Sequence, residues 1–259
     1  MLAVLAANPR TVVVLLNGGP VASLAVADGV PAILEAFYPG QLGGDAIVDT
    51  LLGSNNPAGK LPYTGYHANV TVRDIRDVDL RSAGGITHQF FSGSVLFPYG
   101  AGLSYTTWAF AWARDRAATG AGVAIGTTAA GRVALSVSVQ QLVSAPLVLA
   151  ATAANTGHVG GDCVLLAFLI GGHGAPANAP LRRLVGFTRE RGVEPGGRRT
   201  ATFEIGARDL ASTDASGRLV LAPGRFLVEV GDVVRPASAV LTLVGSPIVL
   251  ADNGWLQAL

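Results

Sequence analysis

Tyr38-Pro39-Gly40-Gln41-Leu42-Gly43-Gly44-Asp45 reads as a turn running into a glycine-rich helix start. Pro39 and Gly40 are turn formers. Asp45 follows the Gly43-Gly44 pair, where an acidic side chain favours the positive end of a helix dipole. Apolar residues at Ala46, Ile47, Leu51 and Leu52 then have the spacing of one helix face. A second turn and an extended segment follow in Asn56-Pro57-Ala58-Gly59-Lys60-Leu61-Pro62. Upstream lies Thr11-Val12-Val13-Val14-Leu15-Leu16, a continuous β-branched run ended by Asn17-Gly18-Gly19-Pro20. Such runs suit a strand covered on both faces, as in a parallel sheet. A helical stretch is expected near Val21 to Ala27, and a second apolar run occupies Ala32 to Phe37. Strand, helix, strand, helix is the rhythm of a doubly wound α/β domain, of which this chain is expected to hold part.

The pattern changes near Arg132. Val133 to Val139 alternates with period two, as a half-buried strand does. Cys163 to Ile170 has a core-strand composition, and further strands are expected at Thr200–Ile205, Phe226–Val230 and Ala239–Val244. Asn155-Thr156-Gly157, Glu194-Pro195-Gly196-Gly197 and Ala222-Pro223-Gly224 supply turns between them. Short strands with regular turns indicate an immunoglobulin-like β-sandwich. The expected fold class is therefore α/β plus all-β: a partial α/β-sandwich domain over 1–107 and a β-sandwich over 108–247. A flexible insertion is expected near 117–131, which is poor in large side chains, and a tail over 248–259.

Half of the 259 residues are hydrophobic and the mean hydropathy is +0.45, so a substantial core can form. A formal net charge of +1 gives no electrostatic reason to expect nucleic acid or an anionic membrane as partner. Arg182-Arg183 and Arg198-Arg199 read as charged turns flanking strands. The single Cys163 excludes an intrachain disulfide and reads as a buried, inert thiol. No apolar run approaches the length of a membrane helix. His67, His88, His158 and His173 are scattered, without zinc-site spacing. Asn17-Gly18-Gly19-Pro20 and Gly171-Gly172-His173-Gly174 lack the endings of phosphate loops, so their glycines are expected to serve turns needing positive φ. No metal or cofactor is expected.

Glu35 lies beside Tyr38 within a strand expected to be buried, where a carboxylate would carry a raised pKa, or stands at the strand end facing solvent or an arginine. Asp74, Asp77 and Asp79 alternate with Arg73, Arg76 and Arg81 and read as a solvated, salt-bridged loop, with lining of a ligand pocket as the sharper reading. Trp108, Phe110 and Trp112 alternate along one strand face, which suits packing and leaves stacking on a ligand as the alternative.

The Tyr38–Asp45 and Asn56–Pro62 stretches, followed by Phe97-Pro98-Tyr99-Gly100-Ala101-Gly102-Leu103-Ser104-Tyr105, resemble the C-terminal half of glycoside hydrolase family 3 enzymes. The segment holding Asn155-Thr156-Gly157, Leu184-Val185-Gly186-Phe187 and Ala222-Pro223-Gly224-Arg225-Phe226 resembles their fibronectin type III-like module. Thr87-His88-Gln89-Phe90-Phe91-Ser92-Gly93 looks most like the plant-type β-xylosidases and α-L-arabinofuranosidases, although that branch usually shows an aromatic at His88 and a histidine at Ala101. The β-glucosidases stay open as the nearer branch. The resemblance implies exo-acting hydrolysis of β-linked sugars with retention, a carbohydrate substrate for the complete enzyme, and a secreted protein. It also implies that the nucleophile belongs to a barrel domain or subunit outside this chain, and that the acid/base glutamate falls ahead of Met1. No residue here is then assigned as catalytic, substrate-binding residues stay unassigned, and the chain alone is expected to be inactive. A non-catalytic carbohydrate-binding or structural accessory module is the alternative.

Overall fold

The computed structural model describes residues 2–21, 29–70, 74, 76–113, 118–120, 122–171 and 179–251. The chain divides into two units, Met1–Tyr105 and Thr106–Leu259.

In the first unit a short helix, Leu2–Ala7, precedes strand β1 (Val12–Leu15), and β2 (Ala32–Glu35) pairs with β1 in parallel. The register runs from Val12 opposite Ala32 to Leu15 opposite Glu35. A parallel pair needs a crossover of a dozen or more residues. The helix expected near 21–27 falls almost wholly outside the described residues. A helix spans Gly43–Leu52, as the apolar spacing predicts. Gly43 lies so close to Pro39 that a Cβ would stand 2.4 Å from its Cγ, and Gly53 ends the helix in the left-handed conformation at φ +79. A further short helix, Thr87–Phe90, precedes β4 (Val95–Phe97), which pairs antiparallel with β3 (Gly65–Tyr66).

Burial departs from the sequence reading. β1 and β2 are half-buried, not covered on both faces, and Val48, Leu51 and Leu52 on the 43–52 helix are exposed. The physical reason is supply: among the described residues, the first unit brings two parallel strands and one helix of ten residues to bury apolar surface. Among its described residues Ala58 alone is a fully buried hydrophobic residue.

The second unit is a sandwich. Its elements are β5 (Trp108–Trp112), β6 (Ala118–Thr119), β7 (Ala124–Thr127), β8 (Val133–Ser138), β9 (Leu147–Asn155), β10 (Gly161–Ile170), β11 (Arg182–Val193) and β12 (Arg198–Ile205). They continue through β13 (Ser212–Thr213), β14 (Leu219–Leu221), β15 (Gly224–Gly231), β16 (Ala237–Val244) and β17 (Ile248–Ala251). One sheet runs β11-β10-β15-β16-β8-β7, and the other runs β12-β9-β5 with β6 also on β9. Pairing is antiparallel except between β16 and β8, which are parallel. Alternation decides what faces inward. Ala201, Phe203 and Ile205 of β12, Leu147, Leu149, Ala151 and Ala153 of β9, and Cys163, Leu165, Ala167 and Leu169 of β10 all enter one core. Leu135, Val137, Leu241 and Leu243 complete it from the parallel pair. Each fully buried leucine contributes on the order of 1.5–3 kcal/mol, so this unit carries the chain's hydrophobic stabilisation.

Three expectations change here. The stretch 117–131 holds β6, which pairs with β9, and β7, which pairs with β8, with Ala118 buried and Val123 packed on the core. Ile248–Ala251, read as tail, is β17 paired with β14, and its Ile248 and Leu250 have core to rest on. Val139, read as strand, begins a helix (Val139–Ser144) capped by Ser138 and Gln141 in a reciprocal capping box.

Candidate functional site

The two motif stretches of the first unit lie against each other. Leu61 N–H donates to the Ala101 carbonyl at 2.8 Å, and Gly100 N–H to the Leu61 carbonyl at 2.8 Å. Lys60 Nζ donates to the Gly102 carbonyl at 2.6 Å. Asn56 Oδ1 accepts from Ser104 Oγ at 2.9 Å and Tyr105 N–H at 2.7 Å, and Tyr105 in turn donates its hydroxyl to the Thr50 carbonyl at 2.6 Å. Ser104 is thus a fastening between the two stretches. Nearby, Tyr66 accepts from Thr87 N–H at 2.5 Å and meets Phe91 edge-on, while His88 stacks on Tyr99 with ring centroids 4.1 Å apart. Ala83 and Thr87 hold positive φ, which costs a non-glycine residue on the order of 1–3 kcal/mol.

The main polar cluster gathers at the carboxyl ends of β1 and β2. Glu35, at the end of β2, is half-buried. Among the described residues it pairs with no arginine, which is one arm of the sequence reading. Its Oε2 accepts from the Tyr63 hydroxyl at 3.1 Å and from Asn17 Nδ2 at 3.5 Å, and its Oε1 accepts from Phe37 N–H at 3.3 Å. Phe37 takes φ +51 and sets its ring edge-on to Tyr63, centroids 6.1 Å apart. Burial, then the hydrogen bond to Glu35, pushes the Tyr63 phenol up to about 12, so it stays protonated and donating. Asn17 Nδ2 also donates to the Gly19 carbonyl at 2.5 Å, while its Oδ1 is buried with no hydrogen-bond partner among the described residues. Gly18 and Gly19 do not take positive φ. Gly18 is instead required by close approach: a Cβ there would stand 2.7 Å from Cε2 of Tyr38, an exposed residue.

The other sequence candidates fall elsewhere. Asp45 lies in the first turn of its helix, but the cap position is Leu42 and no side chain bonds there, so its benefit is to the dipole alone. Asp74–Arg76 (2.7 Å) and Asp79–Arg81 (3.0 Å) are exposed ion pairs, and Ser82 donates to Asp77, as a solvated loop requires. Hydrogen bonds from Arg76 and Arg81 hold Asp74 and Asp79 below the usual carboxylate range. Arg73 and His173 lie outside the described residues. Trp112 is buried, and Trp108 and Phe110 pack on the sandwich core. Arg182 lies 3.7 Å over the Phe168 ring and 3.4 Å from Glu229. A cavity of about 40 Å³ in the sandwich is bordered by Arg183, whose Nη1 is spent on the carbonyls of Arg208, Asp209 and Ala211.

Residues 1–105 match the glycosyl hydrolase family 3 C-terminal domain, and residues 170–233 match the fibronectin type III-like domain. A probable exo-1,4-beta-xylosidase of Aspergillus flavus is 35% identical over 257 residues, covering 93% of this chain and 31% of its own length. One from Aspergillus fumigatus is 37% identical over 251 residues, covering 92% and 31%. Among solved structures, a GH3 exo-beta-xylosidase (XlnD) bound to a xylobiose aziridine activity-based probe superposes with TM-score 0.78 and 29% identity, over 95% of this chain and 32% of that one. A beta-D-glucoside glucohydrolase from Trichoderma reesei gives TM-score 0.72 at 25% identity, over 94% and 35%. The chain spans about a third of the length of these relatives.

Proposed function

From a chain that joins a glycosyl hydrolase family 3 C-terminal domain to a fibronectin type III-like domain, we propose the C-terminal portion of an exo-acting β-xylosidase that removes terminal xylose units. The observation that carries this is the continuity of the match: relatives named exo-1,4-beta-xylosidases align over both units, across 93% of the chain. Retaining glycoside hydrolysis needs two carboxyl groups about 5–5.5 Å apart, one as nucleophile and one as acid/base. In this reading both come from a barrel and its junction outside the 259 residues, and this chain completes the pocket wall. The exposed Val48, Leu51, Leu52 and Leu103 of the first unit support a partner of that kind, because the unit buries so little apolar surface by itself.

The test is made on the native protein, captured from its source with an antibody against residues 106–259. The expected result is a species well above 26.3 kDa that hydrolyses an aryl β-xyloside, with the 259-residue chain inactive on its own. Turnover by the isolated chain, or a native species of 26.3 kDa without glycosidase activity, would overturn the proposal.

A further inference from the structure

Asn69-Val70-Thr71 has the spacing of an N-linked glycan acceptor, asparagine followed two positions on by Ser or Thr with no intervening proline. None of the other seven asparagines of the chain has Ser or Thr two positions on. The folded structure applies an independent filter. A glycan is bulky and hydrophilic, so its asparagine must be exposed, and the amide must have no structural work to do. Asn69 is exposed, on the single 3₁₀ turn Ala68–Val70 that follows β3. Val70 N–H donates to the His67 carbonyl at 3.0 Å and holds that turn, while the Asn69 side chain makes no hydrogen bond among the described residues. The other described asparagines are engaged. Asn8 and Asn55 accept from Arg10 N–H and the Thr50 hydroxyl, and Asn56 fastens Ser104 and Tyr105. Asn17 is tied to Gly19 and Glu35, and Asn155 is buried. The asparagine that the spacing selects is therefore also the one that exposure and hydrogen bonding select.

We propose that Asn69 is an N-glycosylation site. Its Nδ2 attacks the anomeric carbon of an oligosaccharide carried on a lipid diphosphate, in the site of a secretory-pathway transferase. A C–N bond forms, the sugar's C–O bond to the diphosphate breaks, and the amide proton leaves with the lipid diphosphate. Thr71 lies outside the described residues and enters by sequence alone, as the hydroxyl residue that the acceptor spacing requires. A glycan at Asn69 keeps this surface of the first unit facing solvent in the complete protein. On the function proposed above, the partner that covers Val48, Leu51 and Leu52 must then leave Asn69 clear.

The test uses the native protein captured from its source and digested with trypsin, which releases Leu61–Arg73 as one peptide. Mass spectrometry is expected to find that peptide in glycosylated forms, which an amide-cleaving endoglycosidase collapses to one species whose asparagine has become aspartate. A native peptide that is wholly unmodified would overturn the proposal. A second arm sends the 259-residue chain through a eukaryotic secretory host behind a cleavable leader. Endoglycosidase is expected to lower its apparent mass by one step, lost in Asn69→Gln and in Thr71→Ala but kept in Thr71→Ser. A step that survives Asn69→Gln, or no step in the unsubstituted chain, would discard the site. Both readouts are masses and do not depend on aryl-xyloside turnover, so the glycan and the catalytic reading fail separately.

Discussion

The Thr106 hydroxyl donates a 2.6 Å hydrogen bond to the side-chain carbonyl of Asn155, 49 positions away and buried in the sandwich. The same oxygen accepts Gly157 N–H at 3.1 Å, and Nδ2 donates to the carbonyls of Val159 and Val193 at 2.9 Å each. One amide therefore satisfies the start of the unit, the β9–β10 turn and the end of β11. Asn155→Ala leaves these groups buried without partners and is expected to cost about 2–4 kcal/mol. Urea unfolding of the sandwich measures it, and a loss below about 0.5 kcal/mol would refute the role.

Gly231 at the end of β15 takes φ +129, and a Cβ there would stand 2.5 Å from the Phe110 ring. Gly196 also takes positive φ, at +76, yet nothing lies within 4 Å of its missing Cβ. Gly196→Ala is expected to cost about 1 kcal/mol through the backbone alone. Gly231→Ala adds a steric clash and is expected to cost about 2 kcal/mol or more. Thermal melts of the two variants check the order.

Tyr63 gives a pH prediction. Its phenol is pushed from 10.0 to about 12, first by burial and then by its hydrogen bond to Glu35. Because the folded state holds this proton more tightly, the contribution is complete below about pH 10 and is lost as pH rises toward 12. Ultraviolet titration of the five tyrosines should show one late phenolate step. That step should vanish in Tyr63→Phe, and its persistence there would assign it to another residue.

Gly102 lets the 97–105 stretch approach the 56–62 stretch, since a Cβ would stand 2.2 Å from the Gly59 carbonyl oxygen. Gly102→Ala should part the two stretches and break the Lys60 Nζ bond to the Gly102 carbonyl. Faster amide exchange at Gly100 and Leu61, which bond across the gap, is the expected readout, with the exchange of β9 and β10 unchanged.

Period two made β8 and β12 readable, because their inward residues alternate with Ser, Thr and Glu, whereas β10, β15 and β16 were readable as apolar runs between turns. β9 was not readable in the same way. Its core face is Leu147, Leu149, Ala151 and Ala153, and alanine carries little strand signal. The helix after β8 had a legible start in Ser138 and Gln141, a capping-box pair hidden by the β-branched run before it. At the candidate site, Glu35 was visible as a strand-end carboxylate, but its partner Tyr63 stands 28 residues further on. The need for glycine at position 18 comes from the Tyr38 ring, 20 residues away. Neither proximity is written in local spacing, since both follow from how β1 and β2 pair.

The parallel seam between β8 and β16 sets a timetable for the sandwich. β8 finds β7 at once, through a short antiparallel connection, but its other neighbour is more than a hundred residues downstream. At about 5–20 residues per second of synthesis, Leu135 and Val137 wait on the order of 5–20 s before Leu241 and Leu243 leave the ribosome to cover them. Through that interval the nascent chain shows an uncovered apolar strand edge. The second unit therefore closes only after β16 has been synthesised, and a chaperone that shields β8 would raise its yield without touching its final stability.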